Sequence, residues 1–548
     1  MREVGDLPEQ YRALHAMNRL AFGPRPGDMD RIRSLGVDRY IEEQLHPESI
    51  AIPESLVAKV TSYRTLHMTP IALFREYQLP IMQARRDNKG GDKEMLNDAI
   101  KAERIRARIV MREAVEARFA RTIEGPRQLQ EVMTAFWFNH FNVFAGKGLD
   151  NIWTGSFEET AIRPHTMGKF RTLLGATATH PAMLFYLDNW QNTAPHSAGA
   201  KDKFEGINEN YARELMELHT LGVNGGYTQQ DVIALAHILT GWGLPKPRAE
   251  RLAGQYPQLR GPSARLGQYR RFFGTRDPNQ PRLAPINPTG FYFDPSRHDF
   301  SAKTFLGHSI ACSGMAEGEQ ALDILARSPA TARHLSFQLA QYFVADDPPK
   351  PLVDRMTQHY LDSDGDIREV LATIFTSSEF WDRRCYAAKF KSPYEYVISS
   401  VRATGVEVRN YRPLYGTMQL LGMPLYACQT PNGYSNTQDA WLNADAMMMR
   451  ISFATALVNG NLPLDHPPFV EDESGRDEAM RPVAAKIGGG MKLDYSPENP
   501  GKMPPPEATA LTHTLGDSFS ASTNAGVEAA PLQLRTALIL GSPEFMKR

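Results

Sequence analysis

Apolar residues recur at helical spacing through most of the chain, and this pattern divides it into a long series of amphipathic segments. Leu7 to about Leu45 reads as two short helices around Phe22-Gly23-Pro24-Arg25-Pro26-Gly27-Asp28, with Asp28 placed to cap the second. Arg85 to Lys93 reads as an exposed connection, and Ala99 to Ile123 as a long helix whose Arg and Glu residues form a solvated face. Glu131 to Phe144 is aromatic on all sides and belongs in the interior, with Asn139 and His140 as polar guests that need partners. His180 precedes Pro181 at a helix start. Gln191 to Lys203 is a polar loop leading to Ile207–Val223, which reads as a helix stopped at Gly222, and Gln229–Trp242 reads as the next.

After Trp242 the periodicity lapses. Pro245 to Pro288 is dense in Pro, Gly, Arg and Gln, the composition of a lid or insertion, and Gly290-Phe291-Tyr292-Phe293 reads as a short strand holding the chain's only β structure. Helical spacing returns from Ala316 to Phe390 and around Trp441. Leu371 to Phe380 echoes Thr536 to Phe545, each an apolar helix stopped by Ser, a Ser or Pro, Glu and Phe. The fold class is therefore mainly α: a large, irregular multi-helix domain over 1–475, with a long insertion at 245–290 and a small β element near 290–294. A flexible Gly/Pro/Ser/Thr-rich segment over 476–526 and a C-terminal helix over 527–548 that packs back on the domain complete the expected organisation.

The central segment has an unusual polar face. Asn210, Arg213, Glu214 and Glu217 share one side of the helix while Tyr211, Leu215 and Leu218 share another. Thr228 and Asp231 form a capping box that opens the following helix. The polar face has two readings: a structural network in which Arg213 bridges Glu214 and Glu217 while Asn210 and His219 tie the glycine turn, or an active or metal site.

Composition narrows the alternatives. Lys plus Arg total 61 and Asp plus Glu total 62, so no global charge points to nucleic acid, and no run is long enough to span a membrane. Cys312, Cys385 and Cys428 are too widely separated for a zinc ribbon or covalent haem. The N-terminus lacks the apolar core of a signal peptide, which alone implies a cytoplasmic protein.

There is no G-x-S-x-G elbow, H-E-x-x-H, Walker loop or G-x-G-x-x-G. Asp362 to Asp366 superficially resembles a calcium loop, but its glycine is misplaced and Asp366 with Glu369 makes a capping box instead. The chemistry left lies in dispersed carboxylates and imidazoles. Glu214, Glu217, His298, Asp299 and Lys303 are the candidate catalytic residues, with Glu214 and Glu217 as base or ligands and His298 as acid or ligand. Glu214, Glu217, His219, His140 and His298 are the candidate ligands of a divalent metal.

The run NENYARELMELHTLGVNGGYTQQDVIALAHILTGW, Asn208 to Trp242, resembles the signature of the bacterial domain-of-unknown-function family 1800. The resemblance extends through Asn18–Gly23, Trp137–His140, His180–Leu184, Leu187–Asn189, His298-Asp299 with Lys303, and Leu306-Gly307. It departs at His237, where relatives carry Arg, and in the segment after Trp242. The resemblance implies a periplasmic or extracellular protein, encoded beside sulfatase-like members of domain-of-unknown-function family 1501. Two functions follow as expectations: an exported hydrolase-like or metal-dependent enzyme acting on an extracellular polymer, such as a polysaccharide, or other cell-envelope material, or a non-catalytic scaffold or binding partner of the sulfatase-like neighbour.

Overall fold

The structure is a computed structural model that describes residues 5–87, 93–200, 206–244, 290–465 and 507–548. The expected insertion lies outside the described residues except at Gly290, as do 476–506 of the segment expected to be flexible, 88–92 of the first connection and 201–205 of the polar loop. The rest of that late segment is helical at Ala508–Thr514 and from Ala521 onward.

The protein is mainly α. Around a continuous apolar core run α1 (Glu9–Leu20), the long α2 (Lys93–Glu124), α3 (Gln128–His140), α4 (Asp150–Phe157), α5 (Pro181–Tyr186), α6 (Asn210–Glu217), α7 (Gln229–Ile238), α8 (Met315–Arg327), α9 (Pro329–Phe343), α10 (Pro393–Thr404), α11 (Ala444–Val458) and α12 (Leu532–Leu540), with shorter helices between them. α3 is interior on nearly every side, as its aromatic content requires, with Val132, Met133, Phe136, Trp137 and Phe138 buried. Asn139 answers its polar requirement by pairing with both the N–H (2.7 Å) and the carbonyl (2.8 Å) of Tyr434. Among the described residues no helix is long and apolar enough to cross a membrane.

The charges of α2 meet the expectation of a solvated face in the first half, where Lys101, Arg104, Arg106 and Arg108 are exposed, and depart from it in the second. Ala114, Ala117 and Ala120 are buried, and so are Glu113 and Arg118. Glu113 accepts from the Thr65 N–H and hydroxyl at 2.7 and 2.6 Å, while Arg118 meets Glu158 at 2.6 Å. Alanines on either side bring neighbouring helices close enough for these long side chains to end on internal partners.

The β structure is also more extensive than expected. β1 (Trp242–Gly243) pairs antiparallel with β2 (Tyr292–Phe293), and β3 (Lys303–Phe305) pairs with β4 (His308–Ile310). Trp242 thus belongs to a strand instead of ending α7. The helix stops at Ile238, and Gly241, with a φ of 81°, turns the chain into β1. Leu306 and Gly307, with φ of 48° and 79°, form the two-residue turn that joins β3 to β4.

The echo of Phe380 and Phe545 is structural. In each case a serine after the helix accepts from the phenylalanine N–H, Ser377 from Phe380 at 3.1 Å and Ser542 from Phe545 at 3.2 Å. The chain then makes one antiparallel bridge, Asp382 to Asp6 and Lys547 to Phe390. These stops fasten both outer segments to the same body.

Candidate functional site

α6 is shorter than its pattern, ending at Glu217, and His219 lies in the turn beyond it. Tyr211, Ala212, Leu215 and Met216 are buried, leaving Arg213, Glu214 and Glu217 half-buried on the other side. Gly222 then reverses the chain at φ 83°, where an added Cβ would sit 2.8 Å from His334 Nδ1. Thr228 and Asp231 make the expected capping box at the start of α7.

Asparagines fix this helix against the turn after α5. Asn210 donates to the Leu187 carbonyl (3.2 Å), and the Asn208 N–H donates to Asn192 Oδ1 (3.0 Å). Asn192 in turn donates to Ala236 O (2.7 Å) and Asn189 to Trp242 O (3.0 Å). These amides serve structure, and Asn210 is the one of them that the helix itself carries.

The carboxylates differ. Arg213 turns to Glu209 (3.0 Å) and Gln229 (2.9 Å), so the bridge across Glu214 and Glu217 is not made. Glu217 accepts from the Tyr227 hydroxyl at 3.3 Å. No hydrogen bond or ion pair joins the Glu214 carboxyl to another side chain among the described residues. Burial, reinforced by the charge of Glu217 and only partly offset by Arg213, raises its pKa above the usual carboxylate range.

Around Tyr186, whose phenol feels the charge of Glu214, the fold places groups that the sequence pattern did not single out. The Tyr186 hydroxyl donates to Gln429 O at 2.8 Å, and burial, then Cys428, Asp150 and Glu214, push its phenol upward. Lys147 Nζ donates to the Tyr186 carbonyl and reaches Asp188 Oδ2 at 2.9 Å. Asp188 adopts a left-handed φ of 61°, a costly backbone for a non-glycine residue. Asp150 is fully buried with neither carboxyl oxygen bonded, and burial holds its pKa well above the usual range despite nearby Lys147. In sequence Asp150 reads as an ordinary acid in a helix's first turn, where it suits the dipole. Only its burial distinguishes it.

The other predicted residues form two separate clusters. His298, Asp299 and Lys303 gather around Glu317 on α8: His298 Nε2 meets Glu317 Oε1 at 3.1 Å, and Lys303 Nζ donates to Glu317 Oε2 at 2.8 Å. His298 Nδ1 is taken by Thr240 O at 2.8 Å, so neither ring nitrogen is left for a substrate. The departing residue His237 pairs with Asp299 at 2.6 Å. Burial opposes ionisation of Asp299, but hydrogen bonds from Ser301, the charge of Lys303 and the hydrogen bond from His237 prevail and lower its pKa. This cluster ties the loop before β3 to the start of α8.

His140 and His219 meet in the core, where His140 Nε2 donates to the His219 carbonyl at 3.1 Å. Burial lowers His140 to about 3 and His219 well below its ordinary value. His180 caps α5 by accepting from the Ala182 N–H, in line with its expected place at a helix start. The five candidate metal ligands are therefore divided among the Glu214–Glu217 pair, the His140–His219 pair and the Glu317 cluster. Among the described residues no group of three or more His, Cys, Asp or Glu side chains is arranged to hold a metal ion.

A mainly α body carrying a carboxylate pair on the segment Asn208 to Trp242 defines the class of the molecule. The chain belongs to the family described as Protein of unknown function (DUF1800), whose model matches residues 15–547. No curated protein and no solved structure matches the chain.

Proposed function

We propose that the chain is a hydrolase-like enzyme whose Glu214 and Glu217 perform acid–base chemistry on an extracellular polymer or other cell-envelope material. The observation that carries this reading is the Glu214 carboxyl: half-buried, unpaired among the described residues, and raised in pKa on a helix face whose Asn and Arg neighbours are satisfied. A purely structural face would place Arg213 on this pair. A raised carboxyl keeps its proton to higher pH and can donate it to a leaving group, while a neighbouring carboxylate can activate water. Tyr186 lies near it, its phenol pushed upward by burial and in part by the charge of Glu214. The polymer class rests on the family resemblance.

The test is product release from a panel of polysaccharides and envelope polymers, with wild type, Glu214→Gln and Glu217→Gln compared at pH 5 to 8. Each variant should lose activity by roughly 10²–10⁴-fold, the usual range for one general acid or base. Glu214→Gln should at the same time be no less stable than wild type at pH 8. A carboxyl whose folded pKa is raised costs stability as pH climbs through its titration, and the amide removes that cost. Active wild type with undiminished variants would end this reading.

One observation favours the alternative of a non-catalytic binding partner of the sulfatase-like neighbour. Adjoining helices α11 and α12 expose Met448, Met449, Ile451, Leu532, Leu534 and Leu538. Co-elution of the two purified proteins, abolished by Leu538→Glu, would support it.

A further inference from the structure

We propose that the small cavity between Lys391 and Arg548, lined also by Asn18, Glu395 and Ser399, binds a single chloride ion. The site lies where α1, α3, α9, α10 and the last residues of the chain converge, apart from the Glu214 region.

Arg19, Lys389, Lys391, Arg450 and Arg548 are all buried around this junction, and among the described residues Glu395 and Asp346 are the carboxylate side chains that oppose their charge. Neither carboxylate pairs directly with Lys391, although the charge of Glu395 favours its ionisation. Glu395 Oε1 takes Arg548 (2.8 Å) and the Tyr342 hydroxyl (3.3 Å), and its Oε2 takes the Ser392 N–H (2.8 Å). Asp346 is taken by Lys389 and by the Gln438 N–H. The Arg548 main-chain oxygen accepts from the Lys389 N–H.

Lys391 is 4% exposed, and its Nζ has no hydrogen-bond or ion-pair partner among the described residues; it rests 3.9 Å from the centre of the Phe545 ring. Arg548 is 5% exposed and its Nε is likewise unbonded, while Arg19 behind it leaves Nε and Nη1 unbonded. Buried cations without an acceptor are costly, and an anion in the cavity offsets that cost directly. Burial and the surrounding cations push Lys391 down to about 7, so without an anion its charge is held only weakly near neutrality.

Size decides which anion. The cavity volume is about 10 Å³, room for roughly one water-sized species. A phosphate, sulfate or carboxylate is too large, whereas chloride is monatomic and carries the one charge that Lys391 lacks. Asn18, half-buried on the cavity wall, leaves a polar way in.

The experiment is thermal unfolding of the full chain in sodium chloride and in sodium gluconate at equal ionic strength. Chloride should raise Tm by a few degrees in a saturable manner, bromide should replace it, and Lys391→Met should lose the difference between the salts. The effect should be larger at pH 6 than at pH 9. Lys391, pushed down to about 7, is charged at the lower pH and neutral at the higher; Lys389, pushed down to about 8, loses charge over the same interval, and Arg450, Arg548 and Glu395 are the charged groups that face Lys391. Equal Tm in both salts, or a salt difference that persists in Lys391→Met, would overturn the proposal. Should that variant fail to fold, wild-type crystals soaked in bromide decide the matter. An anomalous peak between Lys391 and Arg548 upholds the site, and a water there without anomalous signal removes it.

Discussion

His140 shows how much a single buried ring constrains its surroundings. Its Nε2 donates to a carbonyl, so a neutral ring must accept at Nδ1, and the Gln338 amide 2.9 Å away must turn its NH₂ toward the ring. Neutrality is enforced by burial, which takes His140 to about 3. His180, buried beside Phe157, is lowered to about 3 as well. The sign of the consequence is definite. Between pH 6.5 and 3 the unfolded chain binds protons at these rings that the folded chain refuses. Their contribution is therefore complete above pH 6.5 and is lost as pH falls toward 3. Each ring accounts for at most on the order of 4–5 kcal/mol over that window, taking about 1.4 kcal/mol per pKa unit. Urea unfolding followed from pH 7 to 4.5 should show a steep loss of stability, and His140→Gln should flatten the slope by about one proton. An unchanged slope would mean that the ring takes up its proton in the folded state.

At the scale of elements, local chemistry was readable and its tertiary use was not. The capping box of Thr228 and Asp231 and the cap formed by His180 follow from spacing alone, because each is completed within a few residues, whereas α6 ends at Glu217, ahead of the stop expected at Gly222. The strand near Phe293 was visible in its aromatic run, but its partner at Trp242 was hidden by helical text on one side. Glu214 and Glu217 were legible as a pair on one helix face. Asp150, Tyr186 and Lys147 were not, because the residues that meet there are distant in sequence and each looks ordinary where it stands. The turn after α6 offers a graded test of these local devices. Thr228→Ala should cost about 1 kcal/mol, the usual value of a lost N-cap. Gly222→Ala should cost more, about 2–4 kcal/mol, because it adds left-handed strain to an overlap with His334. Thermal unfolding of both variants at one pH reads the order, and equal losses would show that the turn relaxes freely.

Across the whole molecule, buried charge joins elements that apolar packing alone would leave free to slide. Glu158 lies in a π-helical turn directly after α4, where the widened spacing brings it between two arginines. It meets Arg118 of α2 at 2.6 Å, Arg163 at 3.0 Å and the Tyr426 hydroxyl at 2.8 Å, and Arg163 continues to Glu131 of α3 at 2.6 Å. One carboxylate thus links α2, α3, the π-helical turn and the loop before α11. Burial opposes its ionisation, but Arg118 and Arg163 outweigh that and hold its pKa below the usual value. Glu158→Gln leaves Arg118 buried beside a neutral amide and should cost about 3–5 kcal/mol, as for other broken buried pairs. The further change Arg118→Met should recover part of that loss, since the stranded charge is then gone. Urea unfolding of the two single variants and the double variant measures this directly. If the double variant is as unstable as the sum of the singles, the pair acts as two independent contacts. If it is more stable than Glu158→Gln alone, the network's role lies in holding α2 and α3 in one register, a constraint that no segment of the chain displays by itself.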